Sequence, residues 1–406
     1  MKRTVLSLIL SAAVLSAIAA PVAFAQSAGQ QRPRLRGYFK VKPLTGTDHE
    51  ALKTALSSGT TIPLWTYTLV ATKDGNPYAG EMVGRSPFFH GFRTTSINTV
   101  IVPVILKMPD GGVFDPTATD TRCLSAPNDV PLSLIQQSPM VQSASFTMNG
   151  VNVGSTPYFD AFQRAAFWSN ISSAGNSYHT LLNVTTLAAV TVNVPLGSGQ
   201  TYSAASLSTC GPEGVMDINY WDPYVQGTLI PSLSGDGVGP NSFPIFVFYN
   251  VVMAEGDTNI FVNCCILGYH GAFTNGSGLL QTYSPLDFDT SAFNDNTSVM
   301  SHEIGEWMDD PTGGNATPNW GGEGQVVGTC QGNLEVGDPL SPGFGTATSP
   351  YSVTMSNGFT YTLQELAFFS WYFNSTTTPS LGAGGKFSDH ATFKGASKAC
   401  PPGGTN

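Results

Sequence analysis

Scarcity of charge constrains this chain before any motif is read. Of its 406 residues only 11% are charged, against 41% hydrophobic; ordinary globular chains run nearer ~25% charged. Long solvent-facing helices laced with i,i+4 ion pairs need abundant Glu and Lys, so they are excluded. Gly and Pro, at 44 and 28, are too few for a collagen-like chain, and the apolar content is too high for disorder. A net charge of −10 gives no basic footprint for nucleic acid. What remains is a turn-rich, polar-uncharged protein of α+β class, long enough for one large domain or two.

Residues 1–25 read as a signal peptide. Lys2 and Arg3 form the basic start, Thr4 to Ala20 the apolar stretch, and Ala23-Phe24-Ala25 a small-x-small cleavage site. A membrane anchor is the alternative, and Pro21 argues against it. No later run is long and apolar enough to span a bilayer. The expected location is outside the cytoplasm, extracellular or periplasmic, with no membrane association after cleavage and the chain a monomer. Loss of Lys2 and Arg3 would leave the remainder still more acidic.

Export sets the reading of Cys123, Cys210, Cys264, Cys265, Cys330 and Cys400. An even number in an oxidising compartment favours three disulfides. On an extended strand Cys264 and Cys265 point to opposite faces, so each is expected to bridge to a different partner.

Residues 26–95 read as an N-terminal extension or pro-segment with a β-hairpin, from Ile62 through the turn at Asp74-Gly75-Asn76. Residues 96–295 read as a β-rich subdomain. Its strands are expected at Thr99–Lys107, Leu181–Val194, Phe243–Val252, Phe261–Tyr269 and Leu280–Phe288, with helices over Asp129–Gln142 and from Pro157 to Asn170. Residues 296–406 hold the helix that carries the chemistry and a smaller C-terminal subdomain.

That helix runs through Asp295-Asn-Thr-Ser-Val-Met-Ser-His302-Glu303-Ile-Gly-Glu306-Trp-Met-Asp-Asp310-Pro311. Asn296, Thr297 or Ser298 can cap it and Pro311 stops it. Met300, Ile304, Trp307 and Met308 form its core stripe. His302 and Glu306, one turn apart on another side, can chelate one ion. Glu303 stands beside them, where a general base belongs. Nine Glu serve the whole chain, and four of them (Glu303, Glu306, Glu323 and Glu335) fall within this short region. Glu335 is favoured over Glu323 as third ligand, because Glu323 sits in a Gly-rich turn. Asp338 is placed to accept the outer N–H of His302.

His302-Glu303-x-x-Glu306 followed by Asn333-Leu-Glu335-x-x-Asp338 resembles the zincin metallopeptidases, and within them the gluzincin arrangement. There the helix carries H-E-x-x-H and the next helix brings a Glu ligand. The flanks, Gly268-Tyr-His270-Gly and the Trp307-Met-x-Asp-Pro helix end, are similar to secreted bacterial proteins of unassigned function. The likeness is confined to about residues 245–340. It implies a zincin-like fold, Zn2+ (or another divalent metal) on His302, Glu306 and Glu335, Glu303 as base, and a peptide or protein substrate. Glu306 departs from it, standing where the family has His. Two carboxylates would cancel the ion's charge and weaken its acidity, and would admit harder metals.

Tyr269, His270, Tyr283 and His390 are candidate transition-state stabilisers, with Tyr283 and His390 chosen here. His390 follows Asp389 late in the chain, where gluzincins place an auxiliary His. Asp287 and Asp289, with Asn294, Asp295 and Asn296 close by, offer calcium oxygens without the spacing of a defined loop. Two readings stand: a secreted metal-dependent endopeptidase, or a secreted non-catalytic binding protein that keeps the fold with a structural metal or none. A carbohydrate-active protein is a weaker third, suggested by composition alone.

Overall fold

The apolar runs assemble one large mixed sheet. A computed structural model describes residues 59–124, 129–262, 264–321, 330–341, 351–373 and 387–395, together with the backbone of 38–42. Residues 1–25, Glu323 and Cys400 lie outside the described residues. The sheet has 11 strands. In chain order they are β1 (Tyr38–Lys42), β2 (Thr94–Lys107), β3 (Val113–Phe114), β4 (His179–Thr186), β5 (Val190–Asn193) and β6 (Gly199–Tyr202). There follow β7 (Glu213–Asp217), β8 (Phe243–Tyr249), β9 (Val251–Ala254), β10 (Cys264–Thr274) and β11 (Leu280–Phe288).

The spatial order is β6-β7-β9-β10-β11-β8-β2-β3, with β1 added to β10, and β4 and β5 added to β2. The core pairs β8–β11 and β8–β2 are parallel, while β9–β10 and β10–β11 are antiparallel. Parallel strands need both faces covered, so they read as unbroken apolar runs. Along β8, Phe243, Ile245 and Val247 enter one core cluster and Phe246 and Phe248 enter another. The sheet divides two cores, and the fold is mixed α+β as expected.

Two helices pack into the first core. α1 (Tyr158–Ala166) buries all nine of its residues. α2 (Ser298–Asp309) packs against β10 and β11 and is buried along its whole length. The expected apolar stripe with a separate polar side therefore needs correcting: no side of α2 faces solvent. The sheet, α1 and the segment around Leu366 close over it. Gly268 on β10 permits this approach, because a Cβ there would stand 2.8 Å from Val299 Cγ1 and 3.3 Å from Glu303 Cγ. Trp307 stacks on Phe243 with ring centroids 3.5 Å apart, joining α2 to β8.

Other boundaries shift for local reasons. The run Leu181–Val194 splits into β4 and β5, which pair with successive parts of the long β2. The first expected helix spans only Pro131–Gln137 and ends before Ser138-Pro139. The second breaks at Phe167 and resumes at Trp168–Ser173. Thr297 stands at the N-terminus of α2 without a side-chain cap, its hydroxyl donating instead to the Thr362 carbonyl.

Cys123 and Cys210 are at disulfide distance, Cα–Cα 5.2 Å. Cys264 and Cys265 pair with each other, which corrects the expectation of separate partners. Their side chains lie on one side, so the alternation of an extended strand does not hold at that point. Cys330 is disulfide-bonded too.

The Trp307–Phe243 stack gives a direct test of how α2 is held. Trp307→Ala removes the largest buried side chain of α2 and should cost about 3–5 kcal/mol in urea unfolding. A loss under ~1 kcal/mol would show that the stack is not what seats the helix.

Candidate metal centre

Local chemistry fixes the helix end first. Asp310 accepts from the N–H groups of Gly314 (2.9 Å) and Asn315 (3.0 Å), turning the chain sharply at Pro311. Asn315 Nδ2 donates to the Asp309 carbonyl at 2.7 Å, satisfying one of the helix's last acceptors. The strands Ala316–Trp320 and Gln331–Asn333 then form a small antiparallel ladder that returns the chain to the face of α2. Beyond it, Leu334 to Asp338 run beside His302 and Glu306. The Ala367 N–H donates to the Val336 carbonyl at 2.7 Å, and Tyr372 donates to the Glu335 carbonyl. Glu335 thus arrives on an irregular segment between a short strand and a 3-10 turn, not on the helix that the resemblance implies.

His302 and Glu306 come together as their spacing requires, Nε2 to Oε1 3.0 Å. Asp338 Oδ1 lies 3.6 Å from the same Nε2. Asp338 was expected at the outer nitrogen of His302, and it stands instead on the inner one. The outer side is covered by Gly337, where a Cβ would fall 2.4 Å from His302 Nδ1. The N–H groups of Gly337 and Asp338 donate to Glu306 Oε1 at 3.0 and 3.1 Å. One donor atom each from His302, Glu306 and Asp338 lie within 4.8 Å of one another. Asp338 rather than Glu335 completes that set. Glu335 Oε2 stands 3.9 Å from His270 Nε2, at the edge of the same cluster.

His270 is the residue whose role the sequence understated. It sits on β10, fully buried, with Nδ1 3.1 Å from Glu303 Oε2 and 3.9 Å from Glu306 Oε2. Its Nε2 is 3.1 Å from the Asp310 carbonyl, which can only accept. That contact places the ring proton on Nε2 and leaves Nδ1 a bare lone pair. Burial, and next the nearby His302, push the His270 pKa down to about 3, so the ring is neutral. A bare nitrogen then faces two carboxylate oxygens. Such an arrangement calls for a proton or a cation between them. Glu306 belongs to both sets, Oε1 toward His302 and Oε2 toward His270.

Electrostatics supports the same view. Burial, then Asp338 and Glu303, raise the pKa of Glu306; burial, then Glu306, raise that of Glu335. Burial lowers that of His302, favouring the neutral imidazole that metals bind. A divalent ion would relieve the like-charge crowding, so these donors fit one. The side chain of Asp338 is 20% exposed and gives the cluster its side toward solvent.

The two chosen stabilisers are engaged elsewhere. Tyr283 belongs to the second core, where its hydroxyl donates to Asp222 and accepts from Gln226 Nε2 at 2.8 Å. His390 is exposed and stacks on Tyr351, with centroids 4.5 Å apart. His270 takes the place next to Glu303 that was sought for them. The alternation of β10 could have marked it, had the facing strand register been known.

Searches against protein-family models, curated proteins and solved structures find no match to this chain.

Gly337 has φ −86°, so alanine fits its backbone and only the His302 ring objects. For a divalent ion held by His302, Gly337→Ala should weaken affinity about 10–100-fold in a chelator competition. Unchanged affinity would separate His302 from metal binding.

The end of α2 gives a second test. Burial holds the Asp309 carboxyl up to about 7, its oxygen accepting from Gln163. A raised carboxyl stabilises the fold below its unfolded pKa. That stability is lost as pH rises from about 4 through about 7. Asp309→Asn should flatten this decline and gain up to about 4 kcal/mol on the parent near pH 8. Parallel urea midpoints across that window would contradict it.

Proposed function

We propose that this chain is an exported metal-dependent hydrolase of zincin-like kind, with peptide amides as its substrate class. The observation that carries the reading is the convergence of His302, Glu306 and Asp338 beside a neutral His270 that faces Glu303. The peptide assignment rests on the resemblance of the His302–Asp338 region, and the exported setting on the signal-like start and the cysteine pairs.

His302 Nε2, Glu306 and Asp338 would hold the ion, zinc first among candidates, with manganese admitted by the carboxylates. When bound, the ion supplies a Lewis acid for the substrate carbonyl and lowers the pKa of water. The protein's own part is proton handling. Glu303 would accept the proton, and the carboxyl so formed would donate to the bare His270 Nδ1 3.1 Å away. His270 is locked in one tautomer by the Asp310 carbonyl and could not turn away. The donated N–H groups of Gly337 and Asp338 keep Glu306 fixed as a ligand.

The depth of burial favours a second reading, a non-catalytic exported protein with a structural metal. His302 and Glu303 are fully buried and Glu306 is only 2% exposed. Structural sites are closed, whereas catalytic ones keep an open position.

Two measurements decide between them. Zinc content of the purified protein should be about one equivalent and should vanish in His302→Ala. Glu303→Gln should keep the metal and lower peptide hydrolysis by about 10²–10⁴-fold. Metal retained with no hydrolysis in the parent would support the structural reading. Absence of metal in both proteins would overturn either.

A further inference from the structure

A second carboxylate cluster lies where β7, β9 and β11 meet. Asp287 is on β11, Asp289 follows it, and Glu213 opens β7. All three are fully buried. Each gives one oxygen to the backbone. Asp289 Oδ1 accepts from the N–H groups of Ser291 (2.8 Å), Phe293 (3.1 Å) and Asn294 (2.8 Å). Asp287 Oδ1 accepts from Val251 N–H at 3.1 Å, and Glu213 Oε2 from Ala292 N–H at 3.4 Å.

The remaining oxygens are Asp287 Oδ2, Asp289 Oδ2 and Glu213 Oε1. They have no hydrogen-bond partner among the described residues, short of a proton shared between Glu213 and Asp289. Buried carboxylate oxygens left so are costly. One oxygen from each residue lies within 4.8 Å of the others. Ligand oxygens on opposite sides of a calcium ion, each about 2.3–2.6 Å away, span a similar distance.

We propose that Glu213, Asp287 and Asp289 form a structural site for a hard divalent cation, calcium the best match, which fastens residues 289–297 where they lead into α2. The donors are all oxygen, without nitrogen or sulfur to favour zinc. Calcium takes six to eight oxygens, so backbone carbonyls or water complete the shell. Asp295, also fully buried, adds charge nearby. Its carboxyl is pushed up to about 7 by burial, then by Asp289. A cavity lined by Asp120, Pro212, Tyr249 and Asn250 includes the residue that precedes Glu213 and the one that precedes Val251, whose N–H holds Asp287. The segment it would fasten is already tied at both ends. Asp289 bridges Asn296, and Ser291 Oγ donates to the Gly211 carbonyl at 2.7 Å, next to the Cys123–Cys210 pair. This site is independent of the peptidase reading.

The test uses the full chain treated with chelator and scanned calorimetrically with and without calcium chloride. Calcium at a hundredfold over its Kd should raise Tm by about 3 °C. The rise should disappear in Glu213→Gln and Asp287→Asn and persist in His302→Ala. Should those variants fail to fold, calcium titration of the parent followed by heat and by displacement of terbium luminescence decides the matter. No rise and no binding heat in the parent, with Tm climbing toward acid instead, would show a shared proton in place of a cation. An equal rise in Glu213→Gln would also overturn the site.

Discussion

A helix with no solvent face is the constraint on which the rest depends. Twelve consecutive residues of α2 are buried, and three of them are His302, Glu303 and Glu306. Ordinary amphipathic helices put such residues outward. Here the sheet takes one side, the strands Leu64–Val70 and Pro77–Val83 with α1 another, and the segments around Gly337 and Leu366 a third. Every polar group on the helix must then find its partner within the protein or on something bound to it. Backbone N–H groups of Gly337 and Asp338 answer Glu306, the carbonyl of Asp310 answers His270, and Asn315 answers the helix end. What these leave over is a crowd of buried carboxyl groups, whose pKa values burial and one another push up.

Burial also explains how the two acidic regions relate. Both lie beside α2: one against its middle turns, where His270 stands within β10, the other ahead of its first turn, where β11 runs out. In each, backbone N–H groups hold one carboxylate oxygen and leave another directed inward. They differ in what accompanies the acids. Two imidazoles join the first cluster and none joins the second, and that difference separates a borderline metal from a hard one.

Much of this was legible in the sequence, for identifiable reasons. β11 has the limits read for it, Leu280–Phe288, with the Asn275-Gly-Ser-Gly278 turn ahead of it. α2 ends where Pro311 requires. The pairing of His302 with Glu306 follows from helix geometry alone, and the rarity of Glu made it conspicuous. Groupings that depend on distant register could not be read the same way. His270 lies on a strand whose facing partner is set by a pairing with β11 and by parallel addition of β1. Asp338 reaches His302 through a ladder closed by Trp320 and Asn333, where spacing along the chain says nothing about which of two acids arrives first. Glu213 joins Asp287 and Asp289 only because β7 pairs with β9, and β9 follows Asn250 at the end of β8. The C-terminal aromatics likewise read equally as helix or strand, and the structure uses both: a strand at Thr360–Leu363 and a helix at Phe369–Phe373.

The hairpin at Leu64–Val70 and Pro77–Val83 has a bearing on maturation. Ile62, Trp65, Tyr67, Met82 and Val83 belong to the same core cluster as α2. Asn315, which closes the end of α2, also donates to the Glu81 carbonyl at 2.6 Å and accepts from the Glu81 N–H at 3.0 Å. β1 lies parallel against β10, with Val41 opposite His270. Excision of residues 26–95 would therefore uncover no finished active protein. It would strip the wall against which the helix is seated, so any protease that processes this chain has to stop upstream of these strands to leave it folded.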